Sequence, residues 1–171
     1  MRGCSAHVYR CGSPESRNPG RTCKGASAEP PVPFLSIVEA SCAELAGLCP
    51  PGSQVGLIGT RATLATGLFD ATLERHGYAP LLPSDAELDT LVLPAIERVK
   101  ADQAAQGGPA IEECIRQLQS RGAAAVVLAC TETPLALDAI ALPLRTLCID
   151  TNAALACVCL AWWRANGRAK H

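Results

Sequence analysis

One stretch decides the fold: residues 122–134, which read GAAAVVLACTETP. A glycine opens it, a continuous apolar run from Ala123 to Ala129 follows, and small polar residues come directly after that run. A short apolar run of this kind is typical of a strand that is buried on both faces, as in a parallel sheet. The segment from Cys130 to Pro134 then lies where the strand ends and the next helix begins.

The same pattern occurs earlier in the chain, in Val55-Gly-Leu-Ile-Gly-Thr60, where Thr60 is a natural N-cap for a helix. Further strands are predicted at residues 33–37, 78–82 and 144–149, and helices at 38–48, 62–76 and 151–165. Ser84 and Glu87 have the spacing of a capping box, which predicts another helix start. Gly107 and Gly108 are expected to break the chain, with Pro109 opening the next helix. From residue 55 onward, strands and helices alternate. We therefore predict an α/β domain with a parallel four-stranded sheet flanked by helices, a flavodoxin-like half with strand order 2-1-3-4.

The chain divides into two parts. Residues 1–31 carry arginines among glycines and prolines without apolar periodicity, and they are expected to form an irregular or disordered segment. Residues 32–171 are expected to form the α/β domain. A length of 171 residues allows one such domain with a tail.

Composition excludes several functions. A net charge of -1 and 4% aromatic residues argue against a nucleic-acid partner. The chain has neither an apolar run long enough to span a membrane nor the apolar core of a secretory signal, so we expect a cytoplasmic protein without membrane contact. Its 10 cysteines are then expected to be thiols, and the absence of any C-x-x-C pair indicates no metal site.

Two loops are predicted to meet where the first and third strands of the sheet end. They are residues 59–63 and 130–134, both rich in small polar side chains at helix N-termini. Backbone N–H groups there favour a small carboxylate, since no phosphate-binding glycine motif is present. Cys130 is the distinctive thiol, and its place at a helix start predicts a lowered pKa. Arg61 either contacts a carboxylate or is an ordinary exposed residue of the first helical turn.

Residues 32–167 resemble the C-terminal part of aspartate/glutamate racemases. The matching stretches are Val55-Gly-Leu-Ile-Gly-Thr60 with Thr63, and Leu128-Ala-Cys-Thr-Glu-Thr-Pro-Leu135. Pro33-Phe-Leu-Ser-Ile37 and Cys148-Ile-Asp-Thr151 match the rhythm of the family as well. Glu132 stands where cell-wall glutamate racemases usually carry histidine, so the resemblance is to the aspartate-racemase branch. Hydantoin racemases, arylmalonate decarboxylases and maleate isomerases are less similar at this motif.

The resemblance implies a racemase that needs no cofactor and inverts the α-carbon of a small acidic amino acid, aspartate or glutamate. It assigns Cys130 to acid/base catalysis, with Glu132 orienting the thiol or contacting the substrate ammonium. It assigns four residues to substrate binding: Thr60, Thr63, Thr131 and Lys100. Pyridoxal phosphate is not expected, because no lysine occupies a convincing Schiff-base position.

The family is built from two similar units that each supply one acid/base group, and the first unit is expected to be largely missing here. Cys4, in Cys4-Ser-Ala-His7, is the candidate for the second group, although the family's Asn-Thr pair is absent. If this second acid/base group is lost, the truncated racemase is expected to be inactive by itself. The alternative is a non-catalytic half-domain that binds a carboxylate or serves oligomerisation, with a homodimer covering its exposed apolar face.

Overall fold

The computed structural model describes residues 34–141 and 143–166, and the predicted irregular segment 1–31 lies outside them. Four strands form one sheet: β1 (Gln54–Ile58), β2 (Ala79–Leu81), β3 (Ala123–Leu128) and β4 (Cys148–Asp150). Their order is β2-β1-β3-β4, and every neighbouring pair is parallel. The predicted fold class and strand order are confirmed.

Helices connect the strands and cover the sheet. They are α1 (Ile37–Leu45), α2 (Arg61–Ala65), α3 (Leu68–Arg75), α4 (Asp85–Glu87), α5 (Leu93–Lys100), α6 (Ala104–Ser120), α7 (Glu132–Ala139) and α8 (Thr151–Asn166). A π-helical turn (Leu88–Val92) joins α4 to α5, and a 3-10 turn (Pro143–Leu147) precedes β4. Ser84 and Glu87 form the capping box that starts this α4–α5 segment, as their spacing predicts.

Alternate side chains of the strands serve two separate cores. Val55, Leu57 and Val127 face one side of the sheet and pack with buried side chains of α1, α3 and α8. Val126 and Leu128 face the other side and pack with α5, α6 and α7. Since all five side chains are fully buried, the strands read as continuous apolar runs and show no polar alternation.

The first predicted strand, residues 33–37, is wrong over the part that the structure describes. Residues 34–36 have no regular structure, and the hydroxyl of Ser36 caps α1 by accepting from the N–H of Glu39. The predicted helix 62–76 is divided into α2 and α3 at Gly67, whose φ of 62° lies in the left-handed region. A glycine adopts that conformation without a Cβ penalty, so it permits the break.

The predicted start of a helix at Pro109 is also wrong. The helix α6 begins at Ala104 and includes Gly107 and Gly108, which are buried. A Cβ on Gly107 would lie 2.9 Å from the carbonyl oxygen of Ala95, and one on Gly108 would lie 2.8 Å from that of Ala136. These two glycines therefore allow α6 to pack directly against the backbones of α5 and α7, which outweighs their low helix propensity.

The predicted strand 144–149 is shorter than expected, because residues 143–147 form the 3-10 turn and only Cys148–Asp150 pair with β3. The guanidinium of Arg145 lies 3.1 Å from a carboxylate oxygen of Asp138 and 3.1 Å from one of Asp150. These contacts tie the turn to α7 and to the end of β4.

Candidate active site

The loops that follow β1 and β3 are adjacent, as the sequence predicts. The N–H of Ala129 donates to the carbonyl oxygen of Ile58 at 2.7 Å, one step beyond the β1–β3 ladder. A Cβ on Gly59 would lie 3.4 Å from side-chain atoms of Thr63 and 3.5 Å from the carbonyl oxygen of Ala129. Residues 59–63 and 129–132 therefore meet at the carboxyl edge of the sheet, where its strand order reverses and where ligands bind in such folds.

Cys130 and Glu132 form a hydrogen-bonded pair at this edge. The half-buried thiol of Cys130 donates from Sγ to Oε2 of Glu132 at 2.9 Å. The hydroxyl of Thr131 donates to the same oxygen at 2.7 Å. One carboxylate oxygen therefore collects two donors, which lowers the pKa of Glu132, with a smaller contribution from Lys100. The carboxylate is held in its charged form beside a neutral thiol.

The predicted lowering of the Cys130 pKa is wrong for this arrangement. The pKa of the thiol is raised to about 11, chiefly by burial and then by its hydrogen bond to Glu132. The backbone N–H of Glu132, at the start of α7, and the charge of Lys100 both act in the opposite direction. The helix N-terminus thus lowers the pKa of Cys130 as expected, but burial and the neighbouring carboxylate raise it by more.

Two buried threonines that the sequence analysis missed hold the backbone at this edge. The hydroxyl of Thr133 donates to the carbonyl oxygen of Cys130 at 2.9 Å. The hydroxyl of Thr151, at the start of α8, donates to the carbonyl oxygen of Leu128 at 3.1 Å. The contact of Thr133 could have been predicted from the sequence. A threonine near the start of a helix often donates its hydroxyl to the carbonyl oxygen three residues earlier, which here is that of Cys130.

The threonines of the first loop contact each other. The Oγ1 atoms of Thr60 and Thr63 are 3.0 Å apart, and Oγ1 of Thr60 also accepts from the N–H of Thr63 at 3.1 Å. Thr60 is thus the N-cap of α2, as predicted. The structure places this hydroxyl pair at the same sheet edge as the Cys130 loop.

Lys100 ends α5 on the side of the Cys130–Glu132 pair. Its Nζ donates to Oε1 of Glu97 at 2.9 Å, and this contact is the main reason that its pKa is raised. Glu132 and Cys130 add smaller electrostatic contributions in the same direction. The side chain of Lys100 is exposed, and Glu97 is its one ion-pair partner within the described residues.

Arg61 is paired with two carboxylates of the chain. Its Nη1 lies 2.8 Å from Oδ1 of Asp85, and its Nη2 lies 2.6 Å from Oδ1 of Asp89. Cys4, the candidate for the second acid/base group, lies outside the described residues. Within residues 34–141 and 143–166, no group of three or more metal-ligating side chains comes together. In the same part of the chain, no helix is both long and apolar enough to cross a membrane.

Known proteins share this fold. An aspartate racemase homologue from Pyrococcus horikoshii OT3 superposes with a TM-score of 0.64 at 24% identity, over 80% of this chain and 58% of that one. The aspartate racemase of Picrophilus torridus superposes with a TM-score of 0.58 at 25% identity, over 79% of this chain and 53% of that one. At 24% identity the first likeness concerns the fold alone.

Sequence comparison gives the family. A glutamate racemase from a Nitratiruptor species is 35% identical over 92 residues, which are 53% of this chain and 33% of that protein. The chain thus spans less than two thirds of each of these relatives. Residues 2–159 match the family model of Asp/Glu/hydantoin racemases. The match covers most of the chain, which therefore belongs to the Asp/Glu/hydantoin racemase family.

Proposed function

We propose that this chain carries the cysteine half of an amino-acid racemase site that acts on aspartate or glutamate without a cofactor. The observation that carries the proposal is the Cys130–Glu132 pair, with 2.9 Å between Sγ and Oε2, at the carboxyl edge of the sheet. This edge is where α/β folds bind small ligands. Family membership supports racemisation as the reaction.

In the proposed reaction Cys130 supplies the proton. A base on the opposite face of the substrate removes the α-proton and leaves a carbanion. The Sγ–H proton of Cys130 then moves to the α-carbon, and a thiolate remains. The raised pKa of Cys130 keeps this proton on the thiol at neutral pH, so the proton is present when the carbanion forms. In the reverse direction the thiolate removes the α-proton and becomes the thiol, and the protonated group on the opposite face donates its proton to the α-carbon.

Glu132 has a positioning role in this scheme. Its carboxylate accepts from the thiol of Cys130 and from the hydroxyl of Thr131, so it fixes the direction of the Sγ–H bond. The same negative charge attracts the ammonium group of an amino acid. When that cation arrives, it offsets the charge of Glu132 and lowers the cost of forming a thiolate at Cys130.

The remaining residues bind the two carboxylates of the substrate. Lys100 supplies a cation whose charge already acts on Cys130 and Glu132. The hydroxyls of Thr60 and Thr63 lie in the adjacent loop and can turn from each other to a carboxylate oxygen. Donors fixed in this way also stabilise the charge that develops on the carboxylate as the carbanion forms.

The second acid/base group is the other requirement. We propose Cys4 for this role, on the resemblance of its surroundings to the family pattern; the alternative is that another polypeptide or a second copy of the chain supplies it. A Cys4→Ala variant separates these possibilities. Loss of racemisation in Cys4→Ala, as in Cys130→Ala, supports Cys4, and retention contradicts the assignment of Cys4.

The test is conversion of L-aspartate and of L-glutamate to the D-enantiomers, followed by chiral chromatography. The full chain is expected to racemise one of them, and Cys130→Ala is expected to reduce the rate by more than about 100-fold. Cys159→Ala is the matched control, because Cys159 is an exposed cysteine on α8. Activity that survives in Cys130→Ala contradicts the assignment of Cys130, and a folded chain with no activity on either substrate contradicts the proposed function.

A second candidate function, oligomerisation, is favoured by the surface of α8. Leu160 is 52% exposed and Trp163 is 59% exposed, although both are large apolar side chains. Exposed apolar surface of this kind favours association. Size-exclusion chromatography with light scattering over a range of concentrations tests for the homodimer, and Trp163→Gln is expected to weaken it.

A further inference from the structure

The helix α2 carries the threonine pair of the proposed site, yet its own attachment to the domain is slight. None of its five residues, Arg61–Ala65, is buried. Leu64 packs from the edge against both cores, but it remains half-buried. A segment with so little buried surface needs another contact to keep a fixed position.

The guanidinium of Arg61 supplies that contact. It donates through Nη1 to Asp85 at 2.8 Å and through Nη2 to Asp89 at 2.6 Å. The two aspartates are four residues apart, Asp85 in α4 and Asp89 in the π-helical turn, so they lie on one face of the segment. Both of the terminal nitrogens of the guanidinium are thus used, and Arg61 bridges elements that are 24 and 28 residues away in sequence.

The segment that Arg61 binds is the one that ends at Lys100. The helix α4, the π-helical turn and α5 follow one another without a break from Asp85 to Lys100. Its inner face is fixed in the core through Leu88, Val92 and Ile96, which are buried. Through Arg61, the helix α2 is therefore tied to the segment 85–100, which ends at Lys100.

We propose that Arg61 is a positioning residue, whose paired contacts with Asp85 and Asp89 set the distance between the Thr60–Thr63 hydroxyl pair and Lys100. This inference rests on the proposed function, in which both groups bind carboxylates of one substrate. A dicarboxylate has its two charged ends at a fixed separation, so affinity depends on how firmly the two binding groups are spaced. Arg61 itself does not touch the substrate.

The first arm of the test requires no activity. Hydrogen–deuterium exchange is measured for the peptide that spans residues 60–67, whose amides at Thr63, Leu64 and Thr66 bond within the loop. In Arg61→Met these amides are expected to exchange roughly fivefold faster, within the range that two exposed ion pairs allow. Arg116→Met is the matched control, because Arg116 pairs with Glu112 on α6 at a similar exposure. Unchanged exchange at residues 60–67 in Arg61→Met overturns the proposal.

The second arm measures kinetics with the preferred substrate. In Arg61→Met we expect KM to rise about fivefold with kcat within about twofold, and Arg61→Lys to recover part of the loss, since lysine can pair with one aspartate but not bridge two. A fall in kcat at constant KM overturns the positioning role. If the unmodified chain racemises neither substrate, the proposed function fails, whereas the exchange arm still decides whether Arg61 anchors α2.

Discussion

The pH dependence of Cys130 alkylation tests the electrostatics of the site. The pKa of this thiol is raised from 9.0 to about 11 by burial, by its hydrogen bond to Glu132 and by the charge of that carboxylate. At pH 8 a difference of this size leaves about 100-fold less thiolate than in the unfolded chain. A thiolate of higher pKa is more nucleophilic, which offsets roughly six- to tenfold of that deficit. The folded chain is therefore expected to react about tenfold more slowly than the unfolded one.

Mass spectrometry gives the rate for this thiol alone. Trypsin releases residues 122–145 as a peptide in which Cys130 is the only cysteine. The chain is pulsed with iodoacetamide between pH 7 and pH 11, and the same peptide from urea-unfolded chain provides the reference. Restricted access also slows alkylation, so the deciding quantity is the pH at which the rate stops rising. We expect the rate to level off above pH 9 in the unfolded chain and to keep rising up to pH 11 in the folded one.

Glu132→Gln isolates the contribution of the carboxylate. The amide keeps the shape of the side chain but carries no charge, so the profile of Cys130 is expected to move to lower pH. Glu113→Gln is the control, because Glu113 is exposed on α6 and bonds to Gln117. The reasoning is refuted if the folded wild-type rate levels off below pH 9, or if Glu132→Gln leaves the profile unchanged.

Three further predictions concern stability. Gly108→Ala is expected to destabilise the fold by about 1–2 kcal/mol, because a Cβ 2.8 Å from the carbonyl oxygen of Ala136 costs more than the helix propensity gained; an unchanged urea midpoint contradicts this. Stability is expected to fall above pH 9, because the unfolded chain releases thiol protons there while burial raises the pKa of Cys114 to about 12. Replacing Cys114 with valine should make the fall less steep, as urea midpoints at pH 8, 9 and 10 will show. Glu39→Gln removes a carboxylate that accepts from Arg75 at 2.8 Å and is expected to cost about 1 kcal/mol, so a melting temperature equal to that of the wild type counts against it.

The two central strands, β1 and β3, were predictable from local pattern. Apart from Gln54, their segments are apolar, and each is followed within a few residues by the start of a helix, which is what a sheet covered on both faces requires. The N-cap at Thr60 and the capping box at Ser84 follow from side-chain chemistry within four residues. Features that depend on neighbours in sequence were thus available from the sequence.

Features that depend on contacts between distant elements could not be predicted from the sequence. From sequence alone, Gly107 and Gly108 are expected to end a helix. Only their close approach to the backbones of α5 and α7 explains why α6 continues through them. The sign of the Cys130 pKa shift depends on burial and on the direction of the Glu132 side chain, neither of which spacing reveals. The two contacts of Arg61 likewise span 24 and 28 residues, and no local pattern predicts them.

The central claim is that Cys130 moves a proton at the α-carbon of an acidic amino acid, and the exchange of that proton tests it most directly. The chain is incubated in deuterated water with L-aspartate and then with L-glutamate, and the α-proton signal is followed by NMR. We predict loss of this signal for one of the two, abolished in Cys130→Ala and kept in Cys159→Ala. Exchange with inversion indicates a complete two-base site, and exchange without inversion that is lost in Cys130→Ala indicates that Cys130 works alone. A folded chain that exchanges neither substrate, or a Cys130→Ala variant that exchanges as fast as the wild type, contradicts the claim.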